Sequence, residues 1–294
     1  MNDQDRYIPG VPCWIDTTQP DPDGAVAFYG DLFGWEFEDV MPAGSPGNYY
    51  VARIRGGDVA AIGSQPQGAP LPAAWNTYVW VTDADDTATK VLAAGGSVLM
   101  EPEDFGEAGR MAVFADPAGA AFCVWQGRKH RGAAVVNEHA ALNFNDLQTR
   151  DLDRARSFYG SVLGWETLDV GGASMWALPG YGDFLEQRNP GTRENMAEMG
   201  APERFEDVVA SLSSISDDEP DVTARWGVTF GVEDADAIAL RAAELGGQVI
   251  VDPFNAPWVR MTIITDPQGA TFTASQFVPQ NQSLQESASG ATDA

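Results

Sequence analysis

The sequence predicts an α+β protein built from two tandem copies of one module, each module a pair of βαβββ units. Three observations predict it. Residues 28–36, FYGDLFGWE, recur as FYGSVLGWE at 158–166, with six of nine positions identical at an offset of 130. Residues 110–122, RMAVFADPAGAAF, recur as RMTIITDPQGATF at 260–272, an offset of 150. Between these, DAD followed by GG recurs at 83–85 and 95–96, then at 234–236 and 246–247. Self-similarity along the whole of each half marks a tandem duplication, and 294 residues accommodate two domains of ordinary size.

Each half opens on a short apolar stretch, VPCWIDTT at 11–18 and AALNFNDL at 140–147. A helix follows, because Ala25, Phe28, Tyr29 and Leu32 stand at i, i+3, i+4 and i+7, and Ala155, Phe158, Tyr159 and Val162 repeat the spacing. Asp21 before Pro22 reads as a cap and first turn, and Gly34 and Gly164 read as stops. Strand-like runs around 48–54 and 58–63 complete the first unit. The second unit begins with NTYVWV at 76–81, continues with a helix over 84–94 ended by Gly95–Gly96, and closes with strands near 110–115 and 120–126. The turn Asp116-Pro117-Ala118-Gly119 joins that last pair.

These signals divide the chain into a first module at 8–127, a short basic linker at 128–137, a second module at 138–278, and a tail at 279–294 expected to lack fixed structure. The second copy carries about 20 extra residues, which the pattern assigns to 183–226. Within them Phe205, Val208, Val209 and Leu212 fit a helix over 203–214. A lid or clamp is one expectation for this insertion and a plain surface excursion the other.

Composition narrows the function. With 17 Lys+Arg against 43 Asp+Glu the formal charge is −26, which argues against nucleic-acid and anionic-membrane partners. No apolar run is long enough to span a bilayer, and the start MNDQDRYIPG has no signal-like apolar region. Cys13 and Cys123 form no Cys-x-x-Cys pair and read as free thiols in a cytoplasmic protein. The chain has only two histidines, His130 and His139, both in or beside the linker.

The element order, the FYxxxxGWE helix and the DPxGAxF turn resemble the vicinal oxygen chelate superfamily, which includes glyoxalases, bleomycin-resistance proteins and extradiol dioxygenases. The strings WNTYVWVTDAD and AGRMAVFADPAGAAFCVWQ resemble its tandem two-module actinobacterial type, typified by a mycobacterial antigen. The resemblance implies that each module curves into a sheet cup. It also implies a divalent metal held by His, His and Glu from particular strands. Those places fall on Trp14, Asn76 and Cys123 in the first module and on Phe144, Gly227 and Thr273 in the second. None is histidine or carboxylate, so no metal ligand and no cofactor is expected.

Strand parity then defines the faces. If positions 14, 76 and 123 face the cup, so do Asp16, Tyr78, Trp80 and Trp125. The expected ligand-binding set is therefore Trp14, Asn76, Tyr78, Trp80, Cys123 and Trp125, with Phe144, Thr229 and Thr273 in the second module. Ordinary core packing is the competing reading for these aromatics. The repeat-equivalent pairs Asp16/Asp146 and Arg110/Arg260 are the candidate catalytic residues: a buried carboxylate as acid, base or cation acceptor, and an arginine for developing negative charge. The plainer reading is a salt bridge or bonds to backbone amides for the aspartates, and a rim or inter-module ion pair for the arginines.

The expected function is binding of a small aromatic or polycyclic compound without the family's metal, by a monomer or homodimer. A tailoring or detoxification enzyme using Asp and Arg is the alternative, and a partner-binding protein with filled cups a third.

Overall fold

The computed structural model describes residues 6–66, 68, 72–170 and 173–284. The first half runs β1 (Pro12–Gln19), α1 (Pro22–Phe33), β2 (Glu36–Asp39), β3 (Tyr49–Ile54), β4 (Gly57–Ser64), β5 (Ala74–Trp80), α2 (Ala84–Ala93), β6 (Ser97–Asp104), β7 (Gly109–Ala115) and β8 (Ala121–Gly127). The second half runs β9 (Leu142–Thr149), α3 (Leu152–Leu163), β10 (Glu166–Val170), β11 (Ala173–Ala177), α4 (Tyr181–Arg188), α5 (Thr192–Glu198), β12 (Val208–Ser214), β13 (Arg225–Val232), α6 (Ala235–Glu244), β14 (Gln248–Ala256), β15 (Val259–Thr265) and β16 (Thr271–Phe277). A 3-10 turn, Pro279–Ser283, follows β16, and residues 285–294 of the expected tail lie outside the described residues.

The strands hydrogen-bond into two eight-stranded sheets, ordered β2-β3-β4-β1-β5-β8-β7-β6 and β10-β11-β12-β9-β13-β16-β15-β14. The second order is the first with each strand number raised by eight, so the sequence repeat is a repeat of topology. The helices start and stop on local chemistry. Asp21 and Asp151 accept from the amides of Gly24 and Arg154 at the N-termini of α1 and α3. Gly34 and Gly164 end the same helices at φ +69° and +75°, a conformation that a Cβ disfavours.

The insertion differs from expectation in place and in form. The helix expected over 203–214 is a 3-10 turn at Phe205–Asp207 followed by strand β12. The segment VVASLSS satisfies both periods, and β-branched valines with three serines favour the extended one. Ala210 and Leu212 pack into a hydrophobic core while Ser211 and Ser213 face the other way. Strand β12 is thus the counterpart of β4, and the added chain is the excursion between β11 and β12 that carries α4 and α5. Arg193 on α5 binds Asp183 on α4 at 2.7 Å and Glu206 at 2.9 Å, and the Asp207 carboxylate accepts from the amide of Gly182.

By packing, the chain forms two compact units, and each draws on both modules. Among the described residues, one comprises residues 6–13, Tyr78–Arg131 and Asn145–Trp226; the other comprises Trp14–Thr77, Gly132–Phe144 and residues 227–284. In the first unit α2 lies against α3, and in the second α1 lies against α6.

The two units repeat one buried network. In the first, the Tyr159 hydroxyl donates to Asp116 Oδ2 at 3.2 Å and accepts from Trp226 Nε1 at 2.9 Å. In the second, the Tyr29 hydroxyl donates to Asp266 Oδ2 at 2.9 Å and accepts from Trp75 Nε1 at 3.0 Å, and Gln19 Nε2 adds a bond to Asp266 Oδ2 at 2.8 Å. The FYG tyrosine of one module therefore meets the DPxG aspartate of the other. Both phenols are pushed up by burial and by the adjacent carboxylate, which keeps them protonated donors. Burial also pushes the Asp116 carboxyl up, against the two backbone amides and the phenol that donate to it. Trp35 and Trp165, which follow the helix stops, donate to the carbonyls of Ala140 and Gly10.

Candidate functional site

The strands divide their side chains between two faces. Ile15, Trp75, Val79 and Val124 belong to the hydrophobic cores shared with the helices. Their strand neighbours Trp14, Tyr78, Cys123 and Trp125 are equally buried, at 3–7% exposure, yet belong to neither core. They lie on the opposite faces of their strands.

In the second unit this face carries a polar cluster centred on Asp16, which is 3% exposed. The Tyr49 hydroxyl donates to Asp16 Oδ2 at 2.9 Å, and Asn76 Nδ2 donates to Oδ1 at 2.8 Å. Trp14 Nε1 donates to the Tyr49 hydroxyl at 3.2 Å. Strand β1 supplies Trp14 and Asp16, β3 supplies Tyr49 and β5 supplies Asn76. A Cβ at Gly63 would come within 3.1 Å of the Tyr49 ring, so the glycine makes room for the tyrosine. Tyr49 and Asn76 are half-buried and form the accessible edge of the cluster. Sequence reasoning missed Tyr49. Its signal lay in the pairing of β3 with β4, where Tyr49 stands opposite Gly63.

In the first unit the equivalent carboxylate, Asp146, is only half-buried. It accepts from Ser211 Oγ and Ser213 Oγ, each at 2.9 Å, and from Gln148 Nε2 at 2.9 Å. Register makes Ser211 and Ser213 the counterparts of Ala61 and Gly63, and Ala173 the counterpart of Tyr49. Asn76 is replaced by Gly227. Phe144, Thr229 and Thr273 occupy the positions of Trp14, Tyr78 and Cys123, and all three are half-buried.

The predicted arginines are not part of either cluster. Arg110 binds Asp85 at 2.8 Å, and Arg260 grips both oxygens of Asp236 at 2.6 and 2.7 Å. Both acids sit in the first turns of helices, α2 and α6, and neither guanidinium bonds Asp16 or Asp146. The last residue of each repeated DAD and the Arg of each repeated RM form these pairs, so the repeats themselves carried the signal.

The first unit also carries an aromatic ladder. Tyr78 stands beside Cys123 and Trp80 beside Trp125 across the parallel pair β5–β8. Tyr7 stacks on Trp80 with centroids 6.3 Å apart, and Trp125 Nε1 donates to the His130 carbonyl at 3.0 Å. His130 was expected to stay in the linker, away from these positions. Its imidazole instead meets the Trp125 ring edge-on at 5.5 Å, because residues 128–130 fold back onto Glu107 and Ala108.

The metal positions implied by the family resemblance do not fit a metal. Trp14, Asn76 and Cys123 offer one thiol and no histidine or carboxylate, and Phe144, Gly227 and Thr273 offer a single hydroxyl. Burial leaves Trp14 and Cys123 at 3% exposure. Among the described residues no group of three or more His, Cys, Asp or Glu is placed to hold an ion.

The family model for the glyoxalase/bleomycin resistance protein/dioxygenase superfamily matches residues 14–124 and again residues 138–273. The chain belongs to that superfamily. It is 37% identical to "Putative glyoxylase CFP32" of Mycobacterium tuberculosis, over 95% of this chain and 100% of that one. It is 34% identical to the anthracycline biosynthesis protein DauV of a Streptomyces species, over 91% of this chain and 94% of that one. Its fold is similar to that of an Mn(II)-bound glyoxalase from Novosphingobium aromaticivorans, with a TM-score of 0.57 at 15% identity over 91% of this chain and 82% of that one. It is also similar to the 2,3-dioxygenase LapB of a Pseudomonas species, with a TM-score of 0.59 at 11% identity over 92% and 93%. Among the described residues no helix is long and apolar enough to cross a membrane.

Proposed function

We propose that this superfamily member binds a small planar aromatic or polycyclic compound at the Asp16 cluster, by side-chain contacts in place of the family's metal. The supporting observation is Asp16 itself: a nearly buried carboxylate, kept in place by Tyr49 and Asn76 and flanked by Trp14, on a sheet face outside the hydrophobic core. A buried carboxylate is costly unless bonded, and a site that retains one beside half-buried groups can accept a hydroxyl or an ammonium from a ligand. The relatives named for anthracycline biosynthesis agree with a polycyclic ligand class.

The reading is tested by titrating the full chain with 9,10-anthraquinone and with an aminoalkyl anthraquinone while following tryptophan fluorescence. Saturable quenching is expected, with the amine-bearing probe weakened at least about fivefold in Asp16→Asn. Quenching that stays linear with both probes would sink it.

A second reading, catalysis, is favoured by the O–H···O contact of 2.9 Å between Tyr49 and Asp16, a ready proton-sharing pair. Mass spectrometry of the probes after incubation separates the two: new products lost in Asp16→Asn and Tyr49→Phe mark an enzyme.

A further inference from the structure

The modules differ in one connection that borders the Asp16 cluster. In the first, residues 40–48 join β2 to β3; in the second, residues 171–172 alone join β10 to β11. The longer loop ends at Tyr49, the donor to Asp16, and the shorter one at its counterpart Ala173.

Asp39 closes the longer loop at its base. Its Oδ1 accepts from the amides of Met41 and Tyr49, at 3.0 and 3.2 Å, and its Oδ2 from Asn48 Nδ2 at 2.7 Å. Asn48 is tied in turn to β4: its amide donates to Ser64 Oγ and its carbonyl accepts from the Ser64 amide, both at 2.9 Å. A Cβ at Gly47 would come within 3.0 Å of Ser64, so the glycine lets the loop lie close on that strand. Tyr49 is thereby held where its ring passes Gly63 on the way to Asp16.

The same pairing sets Val40 beside Tyr49. Asp39 stands opposite Tyr50, and the Val40 amide donates to the Tyr49 carbonyl at 3.0 Å, so Val40 stands opposite Tyr49. Opposed residues share a sheet face. Phe37, Tyr50 and Ala52 take the other face, toward the hydrophobic core, which leaves Val40 and Tyr49 on the face of Asp16. Val40 is 49% exposed there, whereas its counterpart Val170 is buried at 9%. A lone exposed valine is ordinary. This one gains its meaning from its place: on the face of the site, beside the tyrosine that bonds Asp16, at the base of a clasped loop that the other module lacks.

In the sheet order β2-β3-β4-β1, Val40 follows β2 and so lies three strands from Asp16, on the order of 14 Å at ordinary strand spacing. A ligand with its amine at Asp16 reaches Val40 only if its apolar body is long. A fused tricycle spans the distance, and a single ring stops short.

We propose that the β2–β3 loop is the length-selecting element of the Asp16 site, which favours fused polycyclic amines over monocyclic ones. Val40 meets the end of the ring system remote from Asp16. Asp39 is a positioning residue that keeps Tyr49 and Val40 side by side. The proposal rests on the reading that an aromatic ligand engages Asp16.

The test compares an aminoalkyl anthraquinone with an aminoalkylbenzene bearing the same side chain, by calorimetry on the full chain. Val40→Ala should weaken the anthraquinone about fivefold, the effect of the apolar area removed, and leave the benzene within about twofold. An unchanged denaturation midpoint in Val40→Ala verifies that the fold is intact. Asp39→Ala should weaken both probes, and Asp39→Asn, which keeps an acceptor for the two backbone amides, should recover most of the loss. Equal effects of Val40→Ala on the two probes, or none on either, overturn the length selection. The Asp16 reading then still stands if Asp16→Asn weakens the anthraquinone. A wild type that binds neither probe overturns both.

A second measurement reads the contact directly. Cys13 and Cys123 are buried, so a bulky maleimide reaches the thiol introduced by Val40→Cys first. Saturating aminoalkyl anthraquinone should slow that labelling severalfold, and the aminoalkylbenzene at the same concentration should not. Labelling as fast with the anthraquinone as without it contradicts the contact.

Discussion

The two compact units share their helix side and differ on their sheet side. Both hold an aspartate, a tyrosine and a tryptophan in the same buried relay, Asp116–Tyr159–Trp226 in one and Asp266–Tyr29–Trp75 in the other. On the opposite sheet faces only the aspartate is common. Asp16 is served by a tyrosine and an asparagine and flanked by an indole, whereas Asp146 is served by two serines and a glutamine. The serines occupy the counterparts of Ala61 and Gly63, so each module satisfies its carboxylate by a different route. What recurs under both arrangements is what the fold needs. What has diverged is where function can reside, and the aromatic, more buried Asp16 cluster is the better candidate.

The largest effects should come from breaking the shared part. Asp266→Ala strands the Tyr29 hydroxyl, the Gln19 amide and the backbone amides of Gln268 and Ala270. A loss of about 3–5 kcal/mol is expected in chemical denaturation, the range for removing one side of a buried charged network. Asp116→Ala should cost somewhat less, because no glutamine counterpart binds Asp116. Negligible losses in both would mean that the relays are not what secures the units, and equal losses that the Gln19 bond adds nothing.

Next in size is the sheet-face contrast. Tyr49→Phe removes the donor to Asp16 and the acceptor of Trp14, and should cost about 1–3 kcal/mol. Ser213→Ala leaves Asp146 with Ser211, Gln148 and its partial exposure, and should cost under about 1 kcal/mol. Ligand affinity should follow the same order. If Asp146→Asn weakened anthraquinone binding more than Asp16→Asn, the working site would belong to the second module.

The comparison also shows what the sequence reveals. The offsets of 130 and 150 carried the topology, because apolar periodicity and capping residues are local signals. Strand parity carried the face on which Asp16, Asn76 and Trp125 lie. Partners distant in sequence were not legible. Tyr29 finds Asp266 across 237 positions, and nothing in either motif names the other. The segment 205–214 misled because helical and extended periods coincide over so few residues, and only the unfilled place beside β9 decides it. His130 depends on a fold-back to Ala108 that a basic linker does not announce.

A smaller effect sharpens the comparison through pH. Burial raises the Asp116 carboxyl, so the folded state binds its proton more tightly than the unfolded chain does. Its contribution is fully present below the ordinary carboxylate value near pH 4 and is lost as pH rises through the raised folded value. Stability measured from about pH 4 upward should therefore fall less steeply in Asp116→Asn than in the wild type, whatever the variant's absolute stability. A slope identical to wild type over that interval would show that Asp116 titrates alike in both states.

The smallest expected effect has the opposite sign. The hydrogen bonds from Arg260 hold the Asp236 carboxyl below its ordinary value. A carboxylate depressed in the folded state contributes above its unfolded value and loses that contribution as pH falls through the folded one. Arg260→Gln should therefore flatten the acid limb of the thermal midpoint below about pH 4 and change little at pH 7, since the pair is exposed and screened. The counterpart pair in the other unit, Arg110 with Asp85, is bonded through a single oxygen. Arg110→Gln should change the salt dependence of the thermal midpoint less than Arg260→Gln does. If the two variants behaved alike, the second hydrogen bond of Arg260 would contribute nothing, and the units would differ only on their sheet faces.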